Sequence, residues 1–179
     1  MSSTLQWSEE MALDLPMMDD THKEFVELLQ AVEAAEDVEL MAVWRDLVAH
    51  TEHHFGQEDR WMEATKYASG NCHSVQHKVV LQVMREGLVR AEKGELFVLR
   101  EMGRELAVWV VQHTQLMDSA LALHLRRVGY NPLTGEVASP DNLPDELIHG
   151  CGGACSSGES DEEVVREVEE EDAPAAAMH

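Results

Sequence analysis

The chain has 179 residues and a formal net charge of −22, which argues against any basic patch for nucleic acid or an anionic membrane. With 44% hydrophobic residues it can bury one proper core, while no apolar run reaches the roughly eighteen residues a membrane span needs. Three cysteines and an N-terminus without a basic start or apolar stretch point to a reducing cytoplasm rather than to secretion or a disulfide scaffold.

Aromatics are sparse, Met is frequent, and Pro and Gly are scarce over the first 130 residues, a composition that favours helix. Residues 1–18 read as an extended arm ending at Pro16, with Trp7, Leu13 and Leu15 available to pin it to the body. Asp19 is expected to cap a first helix whose inner stripe is His22, Phe25, Val26, Leu29 and Val32, at spacings of three and four. An acidic turn around Asp37 leads to a second helix over about 40–64. Its stripe runs Trp44, Leu47, Val48, Thr51, His54, Phe55, Glu58, Met62. The upper half of this face is apolar; the lower half puts His54 and Glu58 where Leu is expected. Gly56 sits mid-helix at a cost of roughly 1 kcal/mol relative to Ala, with close packing as the one rationale for it.

The stretch YASGN at 67–71 breaks the pattern. A third helix spans about 72–92 with His73, His77, Val80, Leu81, Met84 and Leu88 on one face, and Glu92-Lys93-Gly94 forms the next turn. A fourth spans about 95–127 through Leu99, Leu106, Trp109, Val110, His113, Met117 and Leu121, and Gly129, Asn131 and Pro132 stop it. Four amphipathic helices with short connections imply an all-α, up-down-up-down antiparallel four-helix bundle. Residues 1–130 form this bundle. Residues 131–179 are a different unit, an acidic, Cys-containing tail carrying about half of the negative excess, and without an apolar stripe they are expected to be largely disordered.

Every helix contributes a candidate ligand from its inner face: His22, then His54 with Glu58, then His73 with His77, then His113 with Asp118. A single core histidine is ordinarily a satisfied hydrogen-bonder. Five imidazoles and two acids converging in one interior cannot easily satisfy one another, and an unpartnered buried polar group costs several kcal/mol. A metal centre is the economical explanation, and nitrogen-rich ligation with carboxylates and no thiolate suits iron. Seven ligands are too many for one ion. Two ions bridged by Glu58 and Asp118, with the imidazoles as terminal ligands and one position left open, fit the set. His113 and Asp118 are five apart, about 140° around an ideal helix; either they reach the centre from opposite edges of the inward face or a local π-bulge realigns them.

These residues carry a resemblance to a known family. Trp7-Ser8, P-x-M-D-x-x-H from Pro16 to His22, H-F-x-x-E from His54 to Glu58, H-x-x-x-H at His73 and His77, and W-x-x-x-H-x-x-x-x-D from Trp109 to Asp118 occur in the order found in single-domain bacterial hemerythrins. The chain resembles that family over about residues 5–130. The resemblance implies two iron ions as cofactor, one held by His73, His77 and His113. The other would be held by His22 and His54 and carry the open position, with Glu58, Asp118 and a hydroxide or oxo group as bridges. It also implies reversible O2 binding, for carriage, storage or local supply, by a protein that is not an enzyme. O2 arrives uncharged and the electrons it draws on stay within the cluster, so a dry interior never has to solvate new net charge.

Phe55, Met62, Leu81, Trp109 and Val110 are the expected apolar wall. Val110 replaces the Leu often found there in similar chains. His50 stands where relatives tend to carry an aromatic, and is expected to sit behind His54 or partly in solvent rather than to bind metal; beside the open iron it would be a proton donor. His53 falls off the inner face and is expected in solvent. Cys72 is expected to point away from the centre. Cys151 and Cys155, with His149 nearby, make a redox switch or metal capture conceivable in the tail. Two other functions stay open: an O2 or redox sensor that reaches a protein partner through the tail, and a di-iron oxidase or peroxidase.

Overall fold

The computed structural model describes residues 5–67 and 72–147. Among these, α1 spans Pro16–Ala34, α2 Asp37–Ala64, α3 Cys72–Glu92 and α4 Phe97–His113; a π-helical turn over Thr114–Asp118 then joins α4 to α5, Ser119–Val128. α4, the π-turn and α5 make one continuous rod, so four rods run up-down-up-down. Each of α1–α2, α2–α3, α3–α4 and α1–α4 packs together. No described helix is long and apolar enough to cross a membrane.

The helix ends follow from local chemistry. α1 begins at Pro16, earlier than a cap at Asp19 would allow, because proline's fixed φ suits the first helical position. Asp19 instead lies inside the first turn and reaches back. Its carboxylate accepts the Leu13 N–H at 2.7 Å and the Leu15 N–H at 3.2 Å, and its charge also favours a helix N-terminus. α2 likewise starts at Asp37 itself, so the acidic turn shrinks to Ala35 and Glu36. α5 ends at Gly129, whose φ of +64° is left-handed. The Tyr130 N–H donates to Leu125 O and the Gly129 N–H to Arg126 O, the two bonds of a Schellman stop.

The first part of the acidic segment, residues 131–147, lies among the described residues. Residues 131–147 fold back on α5 through a Tyr130–Val137 bridge, the Ala138 N–H to Gly129 O, the Ser139 N–H to Val128 O, and the Asn142 side chain to Arg127 O. Turn residues and backbone pairing order this segment, where the lack of an apolar stripe suggested disorder. The expectations for His149, Cys151, Cys155 and the acidic run fall outside the described residues. Cys72 is disulfide-bonded, against the expectation that the cysteines stay reduced.

The interior is layered. At one end Phe25, Leu29, Val32, Leu40, Trp44, Leu47, Met84, Leu99, Leu106 and Val110 form an apolar cluster, with the Trp44 indole N–H donating to Met84 O at 3.0 Å. At the other end Met18, Trp61, Met62, Tyr67, Leu121, Ala122 and Leu125 form a second. In three of the four rods the polar inner residues fall between these two layers: His22 between Met18 and Phe25, His54 and Glu58 between Val48 and Met62, His113 and Asp118 between Val110 and Leu121; α3 begins at the polar level with His73 and His77 and joins only the first layer, through Met84 and Ala91. The arm is pinned as expected. Leu13 and Leu15 pack on the second cluster, the Leu5 carbonyl accepts the Gln30 amide at 2.8 Å, and Lys23 lies over the Trp7 ring at 5.5 Å.

Close packing explains Gly87, where an added Cβ would run into the Met102 side chain and crowd Leu99. It does not explain Gly56, whose added Cβ would meet only the end of the Arg60 side chain, at 3.5 Å. Glycine there costs α2 stability with no steric return. Gly56→Ala is therefore expected to raise the unfolding free energy by about 0.5–1 kcal/mol, read as a higher urea midpoint at unchanged slope.

Candidate metal centre

The seven inner residues identified in the sequence meet at one level of the bundle. His22, His54, Glu58, His73, His77, His113 and Asp118 are all buried, and all five imidazoles face the interior through Nε2. The π-turn makes this alignment possible in the fourth rod. The Ser119 N–H bonds back to Thr114 O, and this wider turn brings residues five apart towards one face. His113 and Asp118 consequently approach to 3.2 Å.

The two carboxylates divide their oxygens. Glu58 presents Oε1 to His54 Nε2 at 3.1 Å, and Oε2 to His73 and His77 Nε2 at 3.4 and 3.3 Å. Asp118 presents Oδ2 to His22 Nε2 at 3.0 Å, and Oδ1 to His73 and His113 Nε2 at 3.0 and 3.2 Å. Two overlapping groups result. One is Glu58, His73, His77, His113 and Asp118; the other is His22, His54, Glu58 and Asp118. Within each group the ligand atoms lie within 4.8 Å of one another.

Close approach is only partly matched by hydrogen bonding, which among these seven residues is confined to the His54–Glu58 and His77–His113 pairs. His22 Nε2, His73 Nε2, Glu58 Oε2 and both Asp118 oxygens lack an aligned hydrogen-bond partner although all are buried. Donor atoms that crowd a common space without pointing at one another are what a cation between them requires. Carboxylate oxygens and imidazole nitrogens without thiolate suit iron or a similar first-row ion. The residues present fit the group.

Without metal, protons carry the positive charge. Burial and the neighbouring Asp118 push the Glu58 carboxyl up, yet the His54 and His73 imidazoles outweigh them and hold it well below the usual range. Burial likewise pushes Asp118 up, and His113, His22 and His73 hold it well below. Burial pushes His73 down, but Asp118 and Glu58 reverse this and raise it to about 10. His22 and His77 are also raised against burial, chiefly by Asp118 and by Asp59 with Glu58 respectively. His113 is lowered, because there burial outweighs Asp118. His77 Nε2 and His113 Nε2 lie 3.2 Å apart, so a protonated His77 donates to a neutral His113. A metal ion would replace that proton.

Aromatic rings back the three-imidazole group. Phe55 stacks on His77 with centroids 4.0 Å apart and planes 5° apart, and Trp109 stacks on His113 at 4.3 Å. Met62 belongs to the apolar cluster beyond the acids and Val110 to the other. Leu81 does not join them: it is half-buried and lines a surface groove with Lys78, Gln82 and Arg85. His53 is exposed. The His50 side chain is 12% exposed and turned to α1. Its Nε2–H donates to Thr21 O at 3.2 Å and its Nδ1 lies 3.6 Å from Glu24, so its Nε2–H is engaged away from a proton-donor role. Two residues carry contacts that the inner-face pattern did not bring out. Asp59 Oδ1 accepts from His77 Nδ1 at 3.2 Å, and Gln76 Oε1 from His113 Nδ1 at 3.3 Å. Both sit one position beside a ligand. His124, also unremarked in the sequence, is buried but satisfied by Thr65 O at 3.1 Å.

Comparison with known proteins agrees with this geometry. The sequence model of the hemerythrin HHE cation binding domain matches residues 13–124. The chain is 35% identical over 125 residues to the bacteriohemerythrin of Ralstonia nicotianae, covering 70% of this chain and 91% of that one. It is 27% identical over 119 residues to the bacteriohemerythrin of Pseudomonas paraeruginosa, covering 64% and 77%. It is 25% identical over 122 residues to that of Stenotrophomonas maltophilia, covering 66% and 79%. No solved structure matches.

A ligand that binds only the folded chain stabilises it by mass action. Free divalent metal at one hundred times its Kd should add about 2.7 kcal/mol to the unfolding free energy of the metal-free protein, read by denaturant titration. Asp118→Leu, which removes a carboxylate common to both groups, should lose most of that gain. An equal gain in the variant would mean the metal binds elsewhere.

Proposed function

We propose, from the premise that the chain belongs to the hemerythrin family, that it binds O2 reversibly at a non-haem di-iron centre, as a carrier, store or local supplier. The observation that carries this reading is the division of each carboxylate's oxygens between two imidazole sets. On it, His73, His77 and His113 would hold one ion and His22 and His54 the other, with Glu58 and Asp118 common to both groups. When bound, the two irons supply the electrons by which O2 is held, and recover them on release.

This chain's own residues supply the conditions. The imidazoles are neutral donors, so the charge of the ions is offset mainly by Glu58 and Asp118. The five imidazoles divide three and two, so the His22 and His54 side would offer its ion one protein nitrogen fewer. Met18, Phe25, Met62 and Leu121, all fully buried, belong to the apolar layers on either side of the cluster and exclude bulk water. In that low-dielectric layer a step that moves electrons only within the cluster is favoured over one that exports charge.

The test uses the full chain, loaded with ferrous iron without oxygen. Exposure to O2 should produce a visible charge-transfer band that disappears when O2 is removed and returns over repeated cycles, with about two irons and one O2 per chain. His54→Leu should abolish the reversible band. Steady consumption of added reductant, with a band that never reverses, would instead identify an oxidase or peroxidase.

A further inference from the structure

Of the five imidazoles, three have no partner on the outer nitrogen: Nδ1 of His22, of His54 and of His73 is buried and unpaired. The other two are held from behind, and differently. His113 Nδ1 meets the neutral amide oxygen of Gln76, whereas His77 Nδ1 meets the Asp59 carboxylate at 3.2 Å. The same Asp59 oxygen accepts the Ser74 hydroxyl at 3.1 Å, so the carboxylate is itself oriented from α3. Its side chain stays 41% exposed, so it reaches solvent on one side while touching a buried ring on the other.

A carboxylate accepts and does not donate. Its contact with Nδ1 therefore requires the proton on that atom, so that when a metal ion replaces the Nε2 proton facing His113 and Glu58 it is the Nε2 lone pair that is left to face inward. Stacking on Phe55 sets the plane of the ring but not its tautomer; Asp59 supplies what stacking cannot. A carboxylate behind a metal-bound imidazole also makes it a stronger donor.

We infer that Asp59 is a positioning residue for the three-imidazole half of the centre, fixing the His77 tautomer and strengthening His77 as a donor to the metal ion held there. The inference rests on the reading that His77 is a metal ligand. It singles out one half of the centre: an anionic outer partner occurs at His77, and none occurs at His22 or His54.

The test titrates cobalt(II) into the metal-free full chain against a competing chelator, comparing the wild type with Asp59→Ala, Asp59→Asn and Ser74→Ala. Asp59→Ala should weaken one of the two cobalt equivalents by about 10–100-fold and leave the other nearly unchanged. Asp59→Asn keeps an acceptor but loses the charge and should fall between. Ser74→Ala removes the α2–α3 link at Asp59 but leaves the carboxylate on His77, and should weaken the same equivalent by clearly less than Asp59→Ala. In the cobalt-loaded protein, the paramagnetically shifted, exchangeable N–H proton of His77 should move in Asp59→Asn and exchange faster in Asp59→Ala. Wild-type affinity for both equivalents in Asp59→Ala would overturn the inference, as would an equal loss in Ser74→Ala, which would make Asp59 a helix tether. A wild-type chain that takes up fewer than two equivalents would overturn the two-ion reading first, and this inference with it.

Discussion

The structure depends on two carboxylates in a dry layer. Glu58 and Asp118 are buried among five imidazoles, and each turns one oxygen to either side. A buried carboxylate is tolerated only when its charge is answered nearby, so the pair dictates its surroundings. Imidazoles must come from all four rods, and all must present Nε2. The bundle supplies this because each rod reaches the same level, three of them with apolar residues on both sides and α3 at its N-terminal end. Removing the polar layer would leave two ordinary hydrophobic clusters; those clusters hold the rods while the layer between them serves chemistry.

That division explains which parts were legible in the sequence. Apolar positions at spacings of three and four located the rods, because burial of one face is what makes such helices stable. The same periodicity made the inner polar residues conspicuous: His54 and Glu58 interrupt a stripe that is otherwise Leu, Val, Phe and Met. The five-residue step from His113 to Asp118 even left room for a π-turn, since no straight α-helix puts both on one face. Reading failed where the face has an edge. Leu81 is four residues from His77, but the buried positions of α3 advance through His77, Met84, Gly87 and Ala91, and Leu81 falls to the side of that line. Asp59 and Gln76 failed for the same reason in reverse. Each sits one position beside a ligand, where spacing alone cannot separate a solvated side chain from one that holds an imidazole. Order beyond 130 was missed because backbone pairing and turns, rather than an apolar stripe, carry it.

His50 shows how far a local pattern can mislead about chemistry. One turn before His54 and close to the centre, it has the position of a proton donor. Its Nε2–H, however, serves the Thr21 carbonyl on α1, and burial with the nearby His54 lowers its pKa. What it does instead is mechanical: it ties α2 to the backbone one residue before His22. The ring packs against both Phe25 and His54, so a polar side chain fills a position that an aromatic would also fill.

The two imidazole sets are thus held by different means. His77 and His113 are fixed twice, by stacked aromatic rings and by hydrogen bonds to their outer nitrogens. Among the described residues His22 and His54 have neither an outer partner nor a parallel stack; they meet each other edge-on at 5.0 Å, and only packing supports them behind their contacts to Asp118 and Glu58. A ligand set bound from behind resists changes in ion size and charge, because its rings cannot swing. A ring held only from its inner side keeps more freedom to turn. The outer contacts thus distinguish the two sides: two of the three imidazoles on one side are held from behind, and neither of the two on the other among the described residues.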